Sequence, residues 1–125
     1  QLDALPEGPA RWIVNLRISK MGGLLRSLVL AERLRHAGLS MIVGAHVGET
    51  SLLTRAALSV ANAFRDILVA QEGAFGTHLL EHDVVDPPLM FGAGGLLDGT
   101  AVSRSPGWGL DCHVSGGEAG TNQAP

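Results

Sequence analysis

Apolar and polar residues alternate through residues 12–19, with Val14, Leu16 and Ile18 set against Asn15, Arg17 and Ser19. A period of two predicts an extended strand with one apolar face and one polar face. Gly22 and Gly23 end that pattern, and the period then changes. Through residues 24–37, Leu24, Leu28, Ala31 and Leu34 recur at helical spacing, which predicts a helix with one buried stripe. Arg26, Arg33 and Arg35 lie among or outside this stripe, and Glu32 can reach His36 one turn on. His36 sits in the last turn, where the helix dipole suits a cation. Gly38 is placed to stop the helix because it tolerates positive φ. Residues 39–45 are mostly apolar and predict a second strand, of the kind covered on both faces in a parallel sheet. Residues 51–64 repeat the helical pattern through Leu53, Ala57, Val60 and Phe64, with Leu52, Ala56 and Ala63 widening it. Thr50 or Ser51 is available as its cap. Residues 67–70 predict a third strand.

Strand, helix, strand, helix, strand with short connections is the α/β pattern of parallel strands and crossover helices. In such sheets and barrels the C-terminal ends of the strands converge on one rim, where ligands bind. Arg17, His46 and Glu72 each follow a different strand in the same sense. Singly, His46 reads as a hydrogen-bonded structural histidine, Glu72 as a surface carboxylate and Lys20 as a solvated cation. Their common placement is what makes them candidates. The small residues of Gly44-Ala45-His46-Val47-Gly48-Glu49-Thr50 leave room for a ligand or a neighbouring backbone. Beyond Gln71, glycines and prolines break any long element. Val84-Val85 and Leu89-Met90-Phe91 read as short strands or covering segments, Ser105-Pro106-Gly107-Trp108-Gly109 as a turn, and Leu110 as the start of a last extended piece. Residues 1–11 read as a connector, 12–111 as the domain and 112–125 as a disordered tail.

Composition narrows the function classes. A formal net charge of -3 and a pI near 5.9 give no basic patch for nucleic acid. Aromatics make up 4% with no Tyr, too few for base-stacking platforms. Cys112 is the sole cysteine, so a disulfide framework is excluded and a reducing, cytoplasmic setting is expected. No apolar run approaches the roughly 18–20 residues that cross a bilayer, and no membrane partner is expected. The 125 residues are about half of the roughly 250 that a closed eight-fold barrel uses. The chain also opens on Gln1 rather than Met. Together these give the expectation of the carboxyl-terminal part of a longer protein.

Three motifs carry weaker signals. His78-Leu79-Leu80-Glu81-His82 fits the H-x-x-E-H pattern of one zinc peptidase class. That chemistry needs a helix, and Gly76 before it and Pro87-Pro88 after it argue for a polar surface segment instead. Gly92-Ala93-Gly94-Gly95 follows no clear strand and opens no helix, so it reads as a turn rather than a dinucleotide loop. Nothing near Cys112 activates its thiol.

The strings V-N-L-R-I-S-K-M-G-G, G-A-H-V-G-E-T and S-P-G-W-G-L-D, in that order, resemble the carboxyl-terminal barrel half of the enolase superfamily. The likeness is to the mandelate racemase/muconate lactonizing enzyme branch and covers about residues 12–111. It implies a C-terminal portion of a TIM-type (β/α) barrel, strands six to eight with their crossover helices. It implies a Mg²⁺-dependent isomerase or lyase that abstracts a proton alpha to the carboxylate of a small acid. Racemase, epimerase, cycloisomerase and dehydratase outcomes all stay open. Such a reaction proceeds only if charge on the enediolate is stabilised as it forms. The family's Mg²⁺ carboxylates sit on the third to fifth strands, before this sequence starts. The fragment is therefore expected to be inactive alone, and the parent to be a cytoplasmic homo-oligomer.

Residue by residue, the resemblance puts Arg17 where many relatives carry the catalytic Lys of the sixth strand and racemase-like members carry Asp. A guanidinium stays protonated at neutral pH, so Arg17 suits a clamp for carboxylate or enolate rather than a base. His46 falls near the seventh-strand catalytic His. Its usual Asp partner is replaced by Arg17, so the dyad is lost, although a neutral imidazole can still accept a proton; the resemblance implies a base from the second strand, which lies outside this sequence, or from His46. Glu72 matches the eighth-strand carboxyl that hydrogen-bonds substrate. Asn15, Lys20 of K-x-G-G and Glu49 of G-E-T are the implied substrate-binding or rim residues. The rival reading is a non-catalytic α/β module that binds a carboxylate metabolite or a partner.

Overall fold

The structure is a computed structural model and describes residues 11–73, 76–97, 99, 102 and 107–113. Strand β1 (Ile13–Arg17) is followed by a one-turn helix α1 (Ile18–Met21) and by α2 (Leu24–His36). Strand β2 (Ser40–Gly44), helix α3 (Ser51–Ala63), strand β3 (Leu68–Gln71) and the short α4 (Gly76–Leu79) follow, with a 3-10 turn at Ala93–Gly95. The sheet order is β1-β2-β3 and both pairings are parallel. Ile13 stands opposite Ser40 and Arg17 opposite Gly44, and the β2–β3 register shifts between Met41 and Ile42. The chain is thus an α/β fold with a small parallel sheet, as its periodicities predict.

Why these elements form is mostly legible locally. In α2 the stripe buries Ala31 and Leu34 fully and Leu24 and Leu28 partly. Arg33, Arg35 and His36 fill its last turn, where cations match the dipole. Gly38 takes φ +68°, and the Leu39 N–H reaches back to the Leu34 carbonyl at 3.0 Å, a backbone stop that a left-handed residue makes possible. Glu32 pairs with Arg35 and lies 3.3 Å from His36. Arg35 also stacks 4.8 Å over the Phe64 ring, tying the end of α2 to the end of α3.

Helix α2 packs on β1 and β2, α3 packs on β2 and β3, and the helices pack on each other. One core results, with Leu16, Met41 and Val43 from the strands meeting Ala31, Leu34, Ala57 and Val60 from the helices. Both helices therefore cover the same face of the sheet. On the other face Ile13 is 52% exposed, Asn15 and Ala70 are exposed and Ile42 is half-buried. The expectation that β2 is covered on both faces is met on one face only among the described residues.

Two further expectations are corrected. The alternation through Ile18 and Ser19 does not continue as strand, because the chain turns into α1 directly after Arg17. Ile18 still reaches the core, but Ser19 leaves the polar face of β1. At α3, Thr50 holds the cap position without a side-chain hydrogen bond. Asp83, 32 residues away, accepts from the Ser51 N–H at 3.0 Å and from Ser51 Oγ at 2.8 Å instead. Ser51 Oγ accepts in turn from the Leu89 N–H at 2.7 Å.

The later segment wraps this end of α3. Val85 and Leu89 are buried. Val85 bridges Cys112 antiparallel, the His113 N–H donates to the Val84 carbonyl, and Arg55 Nε donates to the Trp108 carbonyl at 3.0 Å. Phe91 bridges Leu97 around the glycine turn. Of the stretch expected as a tail, Cys112 and His113 are described and paired as above, while residues 114–125 lie outside the described residues, as do residues 1–10 of the expected connector. Among the described residues no helix is long and apolar enough to cross a membrane.

Candidate functional site

The C-terminal ends of the three parallel strands form one edge, and the expected site residues lie along it. Arg17 is the last residue of β1, in register with Gly44 at the end of β2. Glu72 follows β3 directly, and its N–H continues the ladder to the Val43 carbonyl at 2.8 Å. Between them runs the loop of residues 45–50, which holds His46 and Glu49.

That loop is built around Glu49. Its Oε1 accepts from the His46 N–H at 2.7 Å and from Ser19 Oγ at 3.2 Å. The Glu49 N–H donates to the His46 carbonyl at 3.3 Å, closing a turn. One carboxylate oxygen thereby fixes the backbone at His46 and ties the β2–α3 loop to α1. The G-E-T glutamate, an expected substrate-binding or rim residue, also braces the loop. Its partner Ser19 is available only because the chain turns after Arg17.

Gly73 brings the other wall close. A Cβ there would stand 2.7 Å from the Ala45 Cβ, and its φ is +108°, a left-handed conformation that favours glycine. The loops after β2 and β3 therefore touch and frame an open cavity of about 280 Å³. His46, Glu49 and Glu72 line it, with Ala45, Val47 and Leu79 as apolar wall. Leu80 approaches the same loop at Gly48.

Three expected residues thus share one cavity. Arg17, Asn15 and Lys20 do not line it. Arg17 is half-buried beside it on the strand edge, Asn15 is exposed on the uncovered sheet face, and Lys20 is exposed on α1. The side chains of Arg17 and Asn15 have no hydrogen-bond or ion-pair partner among the described residues. An unpaired guanidinium, an exposed imidazole and a carboxyl along one edge can hold an anion, take up a proton and donate or accept a hydrogen bond.

Among the described residues, no three of His, Cys, Asp and Glu come close enough together to hold a metal ion. Helix α4 ends at Leu79, so Glu81 and His82 lie beyond it. The H-x-x-E-H string cannot present both imidazoles on one helical face.

Sequence reasoning missed Ser19, Leu79 and Asp83. Ser19 and Leu79 owe their places to turns that no periodicity announces, and Asp83 acts across 32 residues. Compared with family models, with curated proteins and with solved structures, the chain matches none.

Proposed function

We propose that the chain is the strand-six-to-eight portion of a barrel enzyme of the enolase-superfamily type, which abstracts a proton alpha to the carboxylate of a small acid. The observation that carries the reading is the shared edge: three successive parallel βα units deliver Arg17, His46 and Glu72 to one side of the sheet. The uncovered face supports it. Ile13 and Ile42 lie there beside Asn15 and Arg17, a mixture suited to the inside of a barrel completed by further βα units.

In this reading Arg17 holds the substrate carboxylate through its guanidinium fork, which matches a carboxylate in two parallel hydrogen bonds. His46, which lines the cavity, takes the proton as a neutral imidazole. Glu72 hydrogen-bonds the substrate from the opposite wall, and Glu49 keeps the His46 backbone in place. The metal carboxylates of the resemblance belong to other strands. One observation favours the rival, a carboxylate-binding module without catalysis: the sixth-strand position holds a guanidinium where relatives hold a side chain that can exchange a proton.

The test expresses the complete reading frame that contains this sequence and follows exchange of α-protons of small carboxylic acids in D₂O by NMR. Exchange by that product and none by the isolated 125 residues is the expected result. Arg17→Ala should slow exchange about a hundredfold, the scale of losing one preorganised donor to a developing oxyanion. Carboxylate binding without exchange would establish the rival. Exchange by the isolated chain would refute the proposal, and an unchanged rate in Arg17→Ala would remove Arg17 from it.

A further inference from the structure

Asn15 stands in register with Ile42, yet its amide lies over Gly44, two residues nearer the C-terminal ends of the strands. A Cβ at Gly44 would sit 2.8 Å from Asn15 Cγ and 3.0 Å from Nδ2, and closer still to Oδ1. Packed atoms do not approach so closely, so this placement of Asn15 exists only because residue 44 has no side chain. Gly44 is buried although it lies at the end of its strand, and Asn15 is part of its cover. Gly44 is also the register partner of Arg17. Asn15 and Arg17, two apart on β1, share the uncovered sheet face. Neither side chain has a partner among the described residues.

We infer that Gly44 is a positioning residue: by lacking a Cβ it sets the Asn15 amide beside Arg17, and amide and guanidinium together seat one carboxylate. The inference rests on the carboxylate reading of this edge and adds to it the residue that builds the seat. A fork of cationic donors fixes two oxygens, and a neutral amide adds a donor without adding charge. Gly44→Ala would displace the amide from this position without replacing either donor.

The experiment titrates acetate into the full chain and its variants, reading the Asn15 Nδ2 and Arg17 Nε resonances by ¹⁵N NMR, with acetamide as neutral control. In the parent, acetate should shift both resonances beyond the acetamide response. Asn15→Ala and Gly44→Ala should each weaken acetate binding about tenfold, the scale of one hydrogen bond to a charged group. Combined, they should weaken it no further, because Gly44 acts only through Asn15. The Arg17 response should persist throughout. If Gly44→Ala fails to fold, the Asn15→Gly/Gly44→Ala pair restores room; it should fold and bind acetate about tenfold more weakly. Additive effects, parent-like binding by Gly44→Ala, or no Asn15 response in the parent would each overturn the inference. Absence of α-proton exchange in the longer protein would defeat the proposed reaction and leave this seat standing.

Discussion

Replacing Asp83 by Ala removes the group that terminates α3. Four hydrogen bonds converge on this carboxylate: Oδ2 accepts from the Ser51 N–H and Oγ at 3.0 and 2.8 Å, and Oδ1 accepts from the Ser51 and Val85 N–H groups at 3.3 and 3.2 Å. Losing an N-terminal cap costs about 1 kcal/mol. Losing a negative charge at the positive end of the helix dipole costs about 0.5 kcal/mol more. Ser51 is 0% exposed, so its hydroxyl hydrogen is left without an acceptor, at a cost of about 1 kcal/mol. Asp83→Ala should therefore destabilise the fold by about 2–3 kcal/mol, a large share of the roughly 5–15 kcal/mol of an ordinary domain. Asp83→Asn keeps one acceptor oxygen, but it sets an NH2 donor against the donors of the other oxygen and removes the charge, so about 1–2 kcal/mol is expected. Urea unfolding followed by far-UV circular dichroism measures both, with unchanged slope marking a change in stability alone. Ser51→Ala completes a double-mutant cycle whose coupling should exceed about 0.5 kcal/mol. A midpoint for Asp83→Ala within about 0.5 kcal/mol of the parent at equal slope would refute the long-range cap.

Glu49→Ala should release the turn at His46, seen as faster hydrogen exchange of the His46 amide, whereas Glu49→Gln, which keeps an acceptor, should largely preserve its protection. Thr54 is buried and its hydroxyl has no partner among the described residues; Thr54→Val should raise the urea midpoint by the equivalent of about 1 kcal/mol. Leu34→Ala opens a cavity at a fully buried position and should cost about 3 kcal/mol by the same measurement. Val69 is 56% exposed on the edge strand β3. The isolated chain should self-associate through such edges, and Val69→Lys should lower its sedimentation-average mass; a parent chain sedimenting as a monomer at all concentrations would contradict this.

The order of elements was legible because each rests on a pattern that recurs within a few residues. Leu24, Leu28, Ala31 and Leu34 name the buried side of α2, and Gly38 names its end. Arg17, His46 and Glu72 could be placed on one edge because parallel strands linked by helices must end on the same side. The role of Glu49 was not legible in that way. Its place in the loop after β2 follows from the sequence, but its hydrogen bonds depend on α1, a single turn whose only local sign is the glycine pair after it.

The sequence by itself determined an α/β chain of three strands and two crossover helices, with its candidate groups at the strand ends, since periodicity and glycine stops act over one or two turns. Tertiary structure decided the rest. It chose which sheet face lies bare, capped α3 with Asp83 rather than Thr50, folded Leu79 against the cavity and laid Asn15 across Gly44. Each of these joins residues whose meeting depends on how whole elements pack, a distance at which no local pattern carries information.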